Sequence, residues 1–271
     1  MSRRDLGYVS GYTTVQAFAN VYGTASGGTA VTISGQAYQY VAFTSTGSFT
    51  PTSAGLFDVL IFGGGGGGGA DNTYWGGGGS GGISQQTIYL NTGAQTVTIG
   101  AGGATDQCGN PSSLGSIPTA VAAAGGSSNI VTSGRYQTIG GMMGQGVGGQ
   151  NGVTNIQGYI GGASSTNAGG GGGSTTAVGG NASANAGGAG GAGYDVSTFI
   201  GGSALYKGAG GGGGGNNFGG AGGSGIGGTG ASSTTNATAA AANTASGGGS
   251  RATTNSGQAG GSGIVYIRWK V

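Results

Sequence analysis

The chain has 271 residues, of which 76 are glycine, 3 are proline and only 4% are charged, a composition far outside that of ordinary globular domains. Collagen is excluded, because runs of five to seven glycines break any Gly-X-Y period and three prolines cannot preorganise a triple helix. Net charge of +2 with 12 Tyr, 7 Phe and 2 Trp argues against a disordered chain, and seven scattered basic residues make no patch for phosphates, so nucleic acid is not an expected partner.

Residues 1–36 hold 6 of the 76 glycines and read as an N-terminal attachment segment, with an extra edge of the main domain as the alternative. Val15, Phe18 and Tyr22 fall on one helical face, which predicts a short helix over residues 13–22. Residues 29–34 alternate as a strand does. From residue 37 onward the chain reads as one glycine-rich domain reaching residue 271. Two β-prone runs within residues 37–51 are separated by Thr46-Gly47, which predicts a hairpin. Residues 57–62 are apolar in five of six positions, as expected of a short strand buried on both faces. Residues 83–90 and 95–100 read as a second pair of strands around the turn Asn91-Thr92-Gly93, with Val97 and Ile99 alternating against Thr96 and Thr98. Residues 111–124 are consistent with another strand. At the far end Val265, Ile267, Trp269 and Val271 share one face of a strand with strict period two, and they are the expected sandwich core.

The strand at 57–62 runs directly into seven glycines, residues 63–69. Such a tract is either a solvated tether or a polyproline-II-like helix with three residues per turn and no internal hydrogen bonds. In the second case its N–H and C=O groups point sideways and must find partners on neighbouring tracts. The chain supplies those tracts, at residues 76–82, 169–173, 187–193, 208–215, 219–230 and 247–249. Strands before and after this region predict an insertion that loops out of a β-sandwich and returns to it, with its tracts packed side by side. Residues 229–246 read as loop, despite the alanine run at 239–242.

Histidine and glutamate are absent, so no histidine base, His-ligated metal or Glu acid/base pair can be built. Asp5, Asp58, Asp71, Asp106 and Asp195 are isolated in sequence and read as turn or cap residues. The single Cys108 cannot form an intrachain disulfide. Gly144-Gln145-Gly146-Val147-Gly148 lacks the strand and helix context of a nucleotide loop. Neither a signal-peptide stretch nor a membrane-length apolar run occurs. The expectation is a protein without catalytic, metal or cofactor site, made in a cytoplasm and not inserted in a membrane.

The motifs FTSTGSFTP (43–51), FDVLIFGGGGGGG (57–69), WGGGGSGG (75–82), TVTIGAGG (96–103), the segment 109–126 and GGSGIVYIRW (260–269) together resemble the glycine-rich domain of bacteriophage virion proteins. That resemblance implies an all-β fold: a tumour-necrosis-factor-like, jelly-roll-type β-sandwich with an inserted bundle of polyglycine-II helices. It is similar to the glycine-rich domain of the anaplastic lymphoma receptor kinase and, in composition, to the adhesins at tail-fibre tips of T-even-type phages. The implied role is a virion structural protein, a minor tail, tail-tip or fibre protein that attaches to a host surface. A capsid decoration protein or head fibre is the alternative, and an antifreeze-type polyglycine-II protein a remote one. Other virion proteins and a host cell-surface receptor are the implied partners, in a homotrimer. Because glycine tracts offer no side chains, recognition falls to the bulky segments between them. The candidates there are Tyr74, Trp75, Tyr136, Tyr159, Tyr194, Phe199, Tyr206 and Phe218, each of which could instead pack inside. The excursion 194–207 is the favoured one.

Overall fold

A computed structural model of the protein describes residues 22–70, 76–115, 121–123, 146–147, 154–156, 158–253 and 256–271. Its strands are β1 (Thr24–Ala25), β2 (Thr29–Ile33), β3 (Gln36–Phe43), β4 (Gly47–Phe49), β5 (Pro51–Ser53), β6 (Gly55–Phe62), β7 (Ile83–Leu90), β8 (Gln95–Thr98), β9 (Ser112–Leu114), β10 (Val121–Ala123), β11 (Gly146–Val147), β12 (Thr154–Ile156), β13 (Tyr194–Asp195), β14 (Tyr206–Lys207) and β15 (Ile264–Lys270). A six-stranded sheet of order β12-β7-β6-β15-β3-β2 faces a five-stranded sheet of order β11-β10-β9-β8-β4.

Between the sheets lies the core predicted from the strand pattern. Phe57, Val59 and Ile61 of β6 and Val265, Ile267 and Trp269 of β15 meet Phe49, Val97 and Leu114 from the opposite sheet. Phe49 packs edge-on to Phe57 at 5.3 Å and lies 5.9 Å from Trp269. Those contacts explain two departures from the sequence reading. β3 and β4 do not form a hairpin, because β4 pairs with β8 and brings Phe49 across the core, while β3 pairs with β15 and β2. Likewise β7 and β8 are both strands but lie in opposite sheets, so that Val97 can face Phe57 from the other side. Residues 111–124 give two paired strands, β9 and β10, rather than one. Val271 is 61% exposed beyond the end of β15 and leaves the core to its three face-mates.

The sandwich begins before residue 37. β1 pairs with β5, β2 forms an edge of the six-stranded sheet, and Tyr22 bridges to Leu56. Residues 13–21 of the expected helix lie outside the described residues.

Beyond β6 the chain changes period without changing register. β6 and β7 pair Gly55 with Leu90 through Phe62 with Ile83. The tract 63–69 keeps that alignment, but now only every third residue donates to the returning tract: Gly63 N–H to Gly82 O, Gly66 to Gly79 and Gly69 to Gly76, at 3.0, 2.9 and 3.3 Å. The intervening N–H groups turn elsewhere. Gly64 and Gly67 donate to Asn110 O and Gln107 O, while Gly65 and Gly68 donate to Gly261 O and Gln258 O. Successive residues thus face three different neighbours, while the carbonyls of Gly65 and Gly68 accept from Gly103 and Asp106 and those of Gly66 and Gly69 from Gly248 and Arg251. The same sideways bonding joins tracts within residues 158–253 and 256–263, and the glycines at 63–69 and 208–215 are buried. No helix forms at residues 239–242.

Candidate functional site

The tracts run out from the sandwich and back, so their turns form a face at the end remote from the sheets. Tract 209–215 leads into Asn216-Asn217-Phe218, tract 169–173 follows a turn at residues 165–168, and tract 187–193 follows one at 183–186. The turns close on themselves: Ser165 N–H donates to Ala168 O at 2.8 Å, Ser183 to Ala186 at 3.0 Å and Ser232 to Thr235 at 3.0 Å. They also hold one another. Asn216 N–H donates to Asn167 O, Asn217 N–H to Asn185 O, and Ser233 N–H to Asn216 O, at 3.1, 2.9 and 3.1 Å. Asn167 Nδ2 donates to Asn185 Oδ1 at 3.1 Å and Ser165 Oγ to Ser183 O at 2.6 Å. The result is a row of mutually hydrogen-bonded turns, built from Asn, Ser, Thr and Ala, with Phe218 standing 70% exposed at Ala186.

A family model for a glycine-rich domain matches residues 44–270, which takes in the five-stranded sheet, strands β6, β7, β12 and β15 of the larger sheet, and every tract. The chain belongs to this glycine-rich domain family. No curated protein matches the sequence.

The glycine-rich domain treats the eight aromatic candidates very differently. Tyr74, Trp75 and Tyr136 lie outside the described residues. Phe218 is on the remote face. Tyr159 is 45% exposed on the flank of the bundle, beside Ile160 and Val178. Tyr206 is 40% exposed. Tyr194 is half-buried, its ring 6.1 Å from Phe62 and its hydroxyl donating to Gln85 Oε1 at 3.2 Å. Phe199 is 1% exposed and offers no contact surface.

The excursion around Phe199 is a strap over the outer face of the larger sheet. Its helix α1 (Ser197–Ile200) buries Val196, Phe199 and Ile200 against Leu60, Phe62, Ile83, Ile264 and Tyr266, the residues that alternate outward from β6, β7 and β15. Arg268 pins it. The guanidinium lies 4.2 Å from the Phe199 ring centroid and 4.5 Å from that of Tyr38, donates through Nη1 to Phe199 O at 2.7 Å, and pairs through Nε with Asp58 at 3.1 Å. Asp58 also accepts from Thr87 Oγ1 at 2.6 Å and from Tyr22 Oη. Burial, with the Asp58 charge beside it, pushes the Tyr22 hydroxyl up to about 12. Burial likewise raises Tyr266 and lowers Lys207, whose amine donates to Asn243 O at 2.9 Å.

The other described aspartates serve turns. Asp195 accepts from Ser197 N–H and Leu205 N–H, both at 3.0 Å, and these bonds hold its carboxyl below the ordinary range. Asp106, at φ 58°, accepts from Ala70 N–H at 2.9 Å. Among the described residues no cluster of His, Cys, Asp or Glu could hold a metal.

One signal for the remote face is present in the sequence and was missed by reading glycine tracts alone. Residues 162–173 and 180–191 repeat at a spacing of 18, with Ser165, Asn167 and Ala168 recurring as Ser183, Asn185 and Ala186. The matching turns bond to each other through Asn167 and Asn185, and Ser165 and Ser183.

Proposed function

We propose that this glycine-rich domain is a bacteriophage virion structural protein, carried at a tail tip, fibre or baseplate, that presents its remote turn face to the host surface. In this reading the tracts are polyglycine-II helices. The three-residue bonding period of residues 63–69 supports that, as does Gly222 at φ −69° and ψ 142°, in the polyproline-II region. The observation that carries the functional reading is the division of labour along the molecule: a sandwich with a strapped outer face at one end, a stem of hydrogen-bonded glycine tracts with few and small side chains, and a row of turns at the other. Loops on a rigid support are the usual way to present recognition residues. The order of motifs shared with phage glycine-rich domains supports the virion assignment.

The role is binding, not catalysis, and the assembly is a homotrimer with other virion proteins at the sandwich end. Immunogold labelling of intact virions tests the position: label at the tail extremity is expected, and label over the head would replace this reading with capsid decoration. Light scattering of the purified chain tests the trimer, with a monomer at high concentration counting against it.

A further inference from the structure

We infer that the remote turn face binds a neutral glycan, an inference that rests on the host-attachment reading and names its ligand class. The described turns 163–168, 181–186, 215–218 and 231–236 contain no charged residue. Arg251 lies at the same end, but its guanidinium donates to Ala70 O and to Thr253 O and is spent on the backbone. An anionic ligand such as a phosphorylated headgroup or an acidic polysaccharide therefore finds no charged group within these turns, and the guanidinium nearby has its N–H donors turned to backbone carbonyls.

A protein receptor fits poorly for another reason. Protein interfaces are anchored by several buried aromatic, Met or Arg side chains, and these turns expose one large apolar residue, Phe218.

What the face does offer is matched to a sugar. A pyranose is an uncharged polyol with hydroxyls around its rim and a flat C–H face. Phe218 presents an exposed ring whose negative π-face attracts such hydrogens. Asn217 beside it, and Ser233, Thr234 and Asn236 on the turn that bonds Asn216 O, are exposed amides and hydroxyls, able both to donate to and to accept from hydroxyl groups. The backbone groups of the turns are spent on each other, so these side chains stand on a fixed frame and little ordering is needed on binding.

The test uses the full chain, fluorescently labelled, on whole cells of a panel of bacterial strains. Cells are treated either with periodate, which cleaves the vicinal diols of glycans, or with proteinase K. Binding that survives protease, disappears after periodate and persists in about 0.5 M NaCl, where charge interactions are screened, is the expected result. Binding that survives periodate and disappears after protease would overturn the glycan inference while leaving host attachment standing. Failure to bind any strain would remove both. Phe218→Ala, at a position exposed enough to leave the fold intact, should weaken binding by about tenfold, the order expected when a stacking contact is lost. Unchanged binding by a variant with an unaltered circular dichroism spectrum would place the ligand elsewhere and overturn the inference.

Discussion

A single methyl group placed in the middle of the bundle tests whether backbone contact between tracts holds it together. Gly213 donates to Gly188 O at 2.9 Å and accepts from Gly220 N–H at 2.8 Å, while the next residue, Gly214, accepts from Gly169 N–H at 2.8 Å. A Cβ at Gly213 would overlap Gly169 O and lie 2.6 Å from Gly170 O. The first side-chain atom cannot rotate away, so one tract must move. Movement disrupts those three buried backbone bonds, at about 1–2 kcal/mol each for groups left unpaired, giving a loss of about 3–6 kcal/mol for Gly213→Ala. The entropy removed from the unfolded chain returns only about 0.4–1 kcal/mol. Gly180→Ala is the control within the same bundle, because its Cβ would come no nearer than 3.1 Å, to Ala189 N, and it should change stability by less than about 1 kcal/mol. Ala189, Ala192 and Ala221 follow this logic, sitting in tracts at exposed positions, whereas Ala209 shows that a buried tract position near the sandwich can also hold a methyl group. Urea denaturation of both variants, followed by circular dichroism and tryptophan fluorescence, measures the difference. Equal losses in the two variants would refute close backbone packing as the source of stability.

Three further outcomes are expected. Trp269→Ala empties the centre of the sandwich core, where the ring is wholly buried, and should cost about 3–5 kcal/mol in the same assay; a variant as stable as the parent would make β15 peripheral. Ser80 carries a buried hydroxyl without a hydrogen-bond partner among the described residues, so Ser80→Ala should be neutral or stabilising by about 1 kcal/mol, and a clear destabilisation in thermal unfolding would mean that the hydroxyl is satisfied. Asp195 has its carboxyl lowered from 3.8 by backbone bonds to Leu205 and Ser197, so its contribution is present above the unfolded value and is lost as pH falls through the folded one. The Ser197 and Leu205 amide resonances should titrate together with a midpoint below 3.8; a midpoint at the ordinary value would show that the strap does not depend on those bonds.

The strands of the sandwich were legible because each carries its burial in its own pattern. β6 reads as buried on both faces since one face meets the opposite sheet and the other meets the strap, and β15 alternates because both of its faces are used. Which strand pairs with which was not legible. The turns at Thr46 and Asn91 have hairpin-like composition, yet the pairing is decided by Phe49 and Val97 packing across the core, a contact that no local sequence window contains. The excursion 194–207 misled for a related reason. Its aromatics, flanked by glycine, have the composition of an exposed loop, but the sheet face that covers Phe199 is assembled from residues 60, 62, 83, 264 and 266. Phe218, from a three-residue turn with no distinguishing neighbours, is the most open to solvent of the described candidates.

How such a glycine-rich region orders at all follows from where its first tracts begin. Ordering glycine costs more entropy than ordering any other residue, and a tract gains little until its neighbours are in place on several sides. Here the tracts 63–69, 76–82 and 257–263 grow directly out of β6, β7 and β15, which are adjacent in the larger sheet. The strand pairing of Phe62 with Ile83 and with Ile264 sets their starting positions, and Gly63 continues the ladder by donating to Gly82 O. Three tracts are therefore held side by side by a hydrophobic sandwich before any glycine–glycine contact is needed. Later tracts add to faces that already exist: Gly78 donates to Gly248 O and Gly248 to Gly66 O, Gly211 donates to Gly78 O, and Gly172 in turn donates to Gly211 O. The sandwich acts as the template of the bundle, so loosening its core is expected to disorder turns at the opposite end of the molecule that share no side-chain contact with it.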